Sequence, residues 1–151
     1  MSIERRDELI RELCAIRQIA DVDGVVNSGL LEIDSFEVAI DYFDDDPKAV
    51  YVNFQLGIVT AGRTLRIFRL LLEANLAVYA QDQAQLGLDV DTGGIVLISR
   101  IALDDEIDGK WLVDLVDHYL EHGRYWRDNM FQARDDMFEN IAYGEYVWIR
   151  A

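Results

Sequence analysis

The stretch "LDVDTGGIVLIS", residues 88–99, decides the fold. Asp91-Thr92-Gly93 follows a short apolar approach, which is how the Asp-Thr-Gly triplet of an aspartic protease looks. In such enzymes two aspartates share a proton and activate water. The same residues also turn a chain between two strands. A protease triplet belongs to an almost wholly β protein and is needed twice, whereas much of this chain reads as helix and no second Asp-Thr-Gly occurs. We therefore read Asp91 to Gly94 as a turn. Residues 85–90 and 94–103 become a hairpin, with Ile95, Leu97, Ile101 and Leu103 on one face.

The segments on either side carry helical periodicity. Residues 63–79, "RTLRIFRLLLEANLAVY", are apolar almost all round. A surface helix of a monomer needs only one apolar stripe. This one has enough for two faces, one for its own sheet and one for a second copy of the chain. The spacing puts Leu65, Phe68, Leu72 and Leu76, or their i+3 neighbours, in a homodimer interface. From Ile107 to about residue 134 a long helix keeps the helical period through Trp111, Leu112, Leu115, Val116, Tyr119, Leu120, Trp126 and Met130.

The first third of the chain adds one helix and three strands. Residues 3–20 place Leu9, Leu13, Ile16 and Ala20 on one helical face, with Ser2 as N-cap. Asp21 to Gly29 supply turn residues. Strand-like runs follow at 30–34, 36–43 and 49–59, the last two with period two and one polar face. That pattern implies an antiparallel sheet covered on one side. The predicted order is α-β-β-β-α-β-β-α, an α+β fold with a twisted, mainly antiparallel sheet. One domain spans 1–135, and 136–151 is a C-terminal extension of it.

Composition narrows the function. The 151 residues are 51% hydrophobic, which excludes a disordered chain. Acidic residues number 29 against 14 basic ones, a formal charge of −15 that repels phosphate backbones and favours basic partners. Between residues 18 and 47 there are nine acidic residues and no basic one. Cys14, the only cysteine, cannot make a disulfide within the chain, which suits a reducing cytoplasm. Its neighbours Leu13 and Ile16 make it a buried apolar residue. Charge is too dense over 3–12 for a signal peptide, and no apolar run reaches the roughly 20 residues of a bilayer span.

Other candidate chemistry is weaker than the bland reading. His118 and His122 are spaced i, i+4, but Tyr119 stands where a zincin has its glutamate, so an exposed polar pair is expected. Asp21, Asp23 and Glu32 match positions of a calcium loop, yet Val25 and Val26 replace an oxygen ligand and the turn glycine. No phosphate-binding glycine loop and no nucleophile paired to a base is found. No catalytic residue, metal or cofactor is expected, and the chain is not read as an enzyme.

The block from Leu65 to Trp126 resembles the class I secretion chaperones of bacterial type III systems, the family named for the Tir chaperone. Three features carry the resemblance. They are the helix running through Leu71-Leu72-Glu73-Ala74-Asn75, the turn "LGLDVDTGGIVL", and the apolar-acidic step Ile101 to Ile107 leading into a helix with an aromatic end, Tyr125-Trp126. The resemblance covers about residues 3–134, and the tail is longer than the family's.

The resemblance implies a bacterial cytoplasmic homodimer that binds a secreted effector near the effector's N-terminus. It implies that the effector segment is kept extended without ATP and presented to the secretion ATPase or export apparatus. Leu9, Leu13 and Ile16 of the first helix and Leu31, Ile33, Val38 and Tyr42 of the early strands are the effector-binding candidates, partly through strand addition. The alternative is an acidic adaptor or immunity-type protein that binds one folded partner. Neither reading involves nucleic acid or membrane.

Overall fold

The structure is a computed structural model, and it describes residues 2–58 and 64–130. The element order is α1 (Ser2–Arg17), α2 (Val22–Ser28), β1 (Leu30–Ile33), β2 (Phe36–Asp41), β3 (Ala49–Ile58), α3 (Thr64–Asp82), β4 (Ala84–Leu88), β5 (Gly94–Ala102) and α4 (Gly109–Tyr125). A π-helical turn, Trp126–Met130, follows α4. The strands are ordered β1-β2-β3-β5-β4 in one sheet. The fold is α+β, as the sequence predicts, with one helix more. The tail 136–151 lies outside the described residues.

The chain divides into two compact units, residues 1–54 with 100–120 and residues 55–99 with 121–151. In the first unit α1 lies along α4. Arg17 pairs with Asp117, and the Gly109 N–H donates to the Glu12 carboxylate. Glycine is required at 109, because a Cβ there would come within 2.2 Å of the Glu12 Cβ. Strands β1 and β2 form a two-residue hairpin whose turn residues, Asp34 and Ser35, both have positive φ. This is the backbone that matches the twist of the flanking strands. Strand β2 pairs antiparallel with β3, Val38 opposite Phe54 and Ile40 opposite Val52. These four side chains and Leu9, Ile10, Leu13 and Cys14 are buried. Phe54 meets the Tyr119 ring edge-on at 5.3 Å. Each such apolar side chain contributes roughly 1.5–3 kcal/mol.

The stretch Asp21 to Gly29 corrects the sequence reading, which took it as a turn. It is the short helix α2. Asp21 is its N-cap, its carboxylate accepting from the Gly24 N–H at 3.1 Å. Gly29, at φ 71°, closes the other end with an N–H to Val25 O bond of 2.7 Å. The residues taken for turn chemistry are caps at the two ends of a helix. Between them Val25 and Val26 are buried. Glycine at 29 also admits the Ile40 carbonyl, which a Cβ would approach to 2.8 Å.

One polar cluster fastens the β2–β3 connection to β5. Arg100 grips Asp46 with two bonds of 2.6 and 2.8 Å. The Tyr51 hydroxyl donates to the same carboxylate at 2.7 Å, and Tyr51 packs edge-on against Phe43. The bonds from Arg100 and Tyr51 hold the Asp46 carboxyl at about 2, below its ordinary 3.8. A carboxylate with a depressed folded pKa stabilises above its unfolded pKa, and that contribution is lost as pH falls through the folded value. The cluster is therefore expected to weaken between about pH 4 and pH 2. In Arg100→Gln, an NMR titration of Asp46 should show its midpoint move up toward the ordinary value.

The second unit contains α3, the β4–β5 hairpin and the end of α4. Leu86 to Leu88 of β4 pair with Leu97 to Ile95 of β5. The Asn75 side chain of α3 bonds both backbone groups of Leu86, receiving its N–H at 2.7 Å and donating to its O at 3.1 Å. That pair of bonds ties β4 to the helix. Ile67, Leu70, Leu71, Ala74 and Val78 are the buried face of α3.

Candidate partner-binding surfaces

The opposite face of α3 is bare. Leu65 is 84% exposed, Leu72 71% and Leu76 79%, and Tyr79 continues the stripe. Phe68 is half-buried. The residues predicted for a dimer interface thus lie on one outward ridge, apart from Phe68 at its flank. Beside the ridge Phe68, Leu71, Leu72 and Asn75 line a groove of about 200 Å³ with Leu86, Gly87 and Leu88. Ile58, Leu88 and Val90 of the same unit are exposed as well. Apolar surface gathered in this way makes this face a candidate contact site.

The predicted effector-binding residues fall into two groups. Leu9, Leu13, Leu31, Ile33 and Val38 are buried in the first unit, none more than 8% exposed. They are core and offer little surface, although Leu31 reaches the groove beside β1. Ile16 is half exposed at the end of α1, and Tyr42 is half-buried after β2. Sequence reasoning missed Leu30, Phe43 and Trp111, which are large apolar residues open to solvent in this unit. The signal for Leu30 was its alternation with Leu31, for along β1 exposed and buried positions alternate from Leu30 to Ile33. Strand β1 is an edge of the sheet. An open groove of about 480 Å³ runs beside it, lined by Leu30, Leu31, Glu32, Ser35 and Glu37.

Residues with possible chemistry have structural posts. Asp89, Val90, Asp91 and Thr92 turn the β4–β5 hairpin. The Asp91 N–H donates to the Asp89 carboxylate at 2.9 Å, and the Gly94 N–H donates to Thr92 Oγ1 at 3.1 Å. Gly93 takes φ 72°, which closes the turn. Asp23 pairs with Arg11, Asp21 caps α2 and Glu32 lies in β1, so the three do not form one loop. His122 is buried, not exposed as the sequence suggested, because that turn of α4 faces inward. Burial pushes the Cys14 thiol up, away from reactive thiolate. Among the described residues no group of three or more His, Cys, Asp or Glu could hold a metal ion. No helix among them is long and apolar enough to cross a membrane.

The fold is matched in known proteins. The family model of the Tir chaperone protein (CesT) family covers residues 9–127, and the chain belongs to that family. Among solved structures it is similar to a chain in the crystal structure of the ExsC–ExsE complex. The identity is 18% and the TM-score 0.69, over 87% of this chain and 97% of that one. It is also similar to a chain in the structure of the HopA1–SchA chaperone–effector complex. There the identity is 17% and the TM-score 0.61, over 80% of this chain and 91% of that one. No curated protein matches the sequence. At these identities the structural likenesses speak for the fold.

Proposed function

We propose that this chain is a type III secretion chaperone that binds the N-terminal region of a secreted effector and keeps it stable and competent for export. The observation that carries the reading is membership of the Tir chaperone protein family over residues 9–127. The neighbour described as a chaperone–effector complex supports it. In this reading the protein works in the bacterial cytoplasm as a homodimer joined along the outward ridge of α3. The effector segment lies extended on the first unit, using apolar side chains such as Ile16, Leu30 and Tyr42 and the open edge of β1. Surface complementarity suffices to hold an extended segment, so the binding step needs no ATP. The loaded pair is then handed to the export apparatus or its ATPase. The protein is a binding protein rather than an enzyme.

Deleting the coding sequence in its own bacterium is expected to lower the cellular level of one secreted protein and to abolish its export, with other substrates unaffected. Quantitative proteomics of cells and culture medium reads this directly. Unchanged export of every substrate would contradict the reading.

A further inference from the structure

Backbone hydrogen bonding in the β1–β2 hairpin fixes which groups face the open edge. The Ile40 N–H donates to Gly29 O at 2.8 Å, just beyond the last strand pair. Counting inward along the register, Leu31 with Val38 and Ile33 with Phe36 exchange hydrogen bonds, whereas Leu30 with Ala39 and Glu32 with Glu37 do not. The N–H and C=O of Glu32 therefore point away from β2, toward the edge. So do those of Leu30, whose N–H is taken by Ser28 Oγ at 3.1 Å. In a pair without mutual hydrogen bonds the two side chains approach most closely. Here they are two glutamates, both exposed. Among the described residues neither has a cation within ion-pair distance. Like charges directly opposite destabilise a sheet.

We propose that the segment added to β1 carries a lysine or arginine across from Glu32 and an apolar residue two positions away, across from Leu30. This rests on the reading of the first unit as the effector-binding unit and names the chemistry of that effector segment. Three observations converge on it. The outward backbone groups of Glu32 seat an incoming residue directly beside its carboxylate. Its side chain then lies on the face shared by Glu32 and Glu37, where a cation relieves the repulsion. Leu30, exposed on that same face, supplies an apolar contact that charges set only to repel other strands would not need. The stretch 18–47, with nine acidic residues and no basic one, adds a field of the same sign. An antiparallel segment would read cation, any residue, apolar residue.

The test uses three capped synthetic peptides that differ at one position, Lys, Gln or Glu, and share the same apolar residue two positions after it. Binding is followed by NMR at the backbone amide of position 32. The Lys peptide is expected to shift this amide and to bind about tenfold more tightly than the Glu peptide, the size of one or two cross-strand charge pairs. In Glu32→Gln with Glu37→Gln, both exposed, the preference should fall to about twofold. In Asp44→Asn with Asp45→Asn, which removes the same charge from the β2–β3 connection, it should persist. Equal shifts with all three peptides would overturn the charge assignment while leaving edge binding intact, and the glutamates would then only guard the edge. A preference that survives Glu32→Gln with Glu37→Gln would overturn it in favour of bulk charge. If no peptide moves the amide, both the assignment and the use of this edge in the proposed function fall.

Discussion

Leu13→Asp is expected to unfold the first unit. Leu13 is wholly buried on α1 among Leu9, Ile10 and Cys14. Removing its side chain costs about 2–5 kcal/mol as a large-to-small core change, and forcing a carboxylate into the same place adds more. A domain holds only about 5–15 kcal/mol in total. The folded signal in circular dichroism should be lost, and partner binding with it. Ile16→Asp is the informative companion. Ile16 lies one helical turn on and is half exposed, so the substitution should change stability by only about 0.5 kcal/mol. Loss of a partner by folded Ile16→Asp protein would then report on the surface itself. Full binding by that variant would remove α1 from the proposed contact.

The second large effect concerns assembly. Leu72→Asp with Leu76→Asp is expected to convert a dimer into a folded monomer. Both side chains stand on the outward ridge of α3, more than 70% exposed, so neither change disturbs the core of the second unit. Across a symmetric interface each substitution acts twice. Central apolar anchors typically contribute 2 kcal/mol or more each, so the dissociation constant should rise by about 100-fold or more. Light scattering should give twice 17.4 kDa for the unaltered chain and 17.4 kDa for the variant at micromolar concentration. An unaltered chain that is already monomeric there would contradict the assembly.

Periodicity made some of this legible before any coordinates. Alternation in 36–43 and 49–59 located β2 and β3, because a half-covered sheet writes its covered face at every second residue. The excess of leucine on α3 exposed its second face, since only one can pack on its own sheet. The turn at Asp91 to Gly94 was readable from residue preference. What failed did so for physical reasons. At Asp21 to Gly29 the same residue types serve as turn formers and as helix caps, and a helix of two turns is too short to show its period. On α1 and β1 the hydrophobic pattern marks residues that avoid water, without saying whether the cover is the protein's own core or a partner. Leu13 and Ile16 share one predicted face, yet one is buried and the other is open. The Glu32–Glu37 juxtaposition depended on hairpin register, which the two-residue turn at Asp34-Ser35 sets.

The most direct test of the account is the folding state of what the chain binds. The chain would be co-expressed with N-terminal fragments, and separately with intact folded forms, of the proteins secreted by its bacterium's type III system. Hydrogen exchange would then be read on any complex that forms. The account predicts that one fragment, without stable structure when alone, binds the dimer and gains protection along a single extended stretch, while protection also rises at β1 of the chaperone. A partner that binds only in its folded form, and whose isolated N-terminal fragment is not retained, would contradict the account and leave an acidic adaptor in its place.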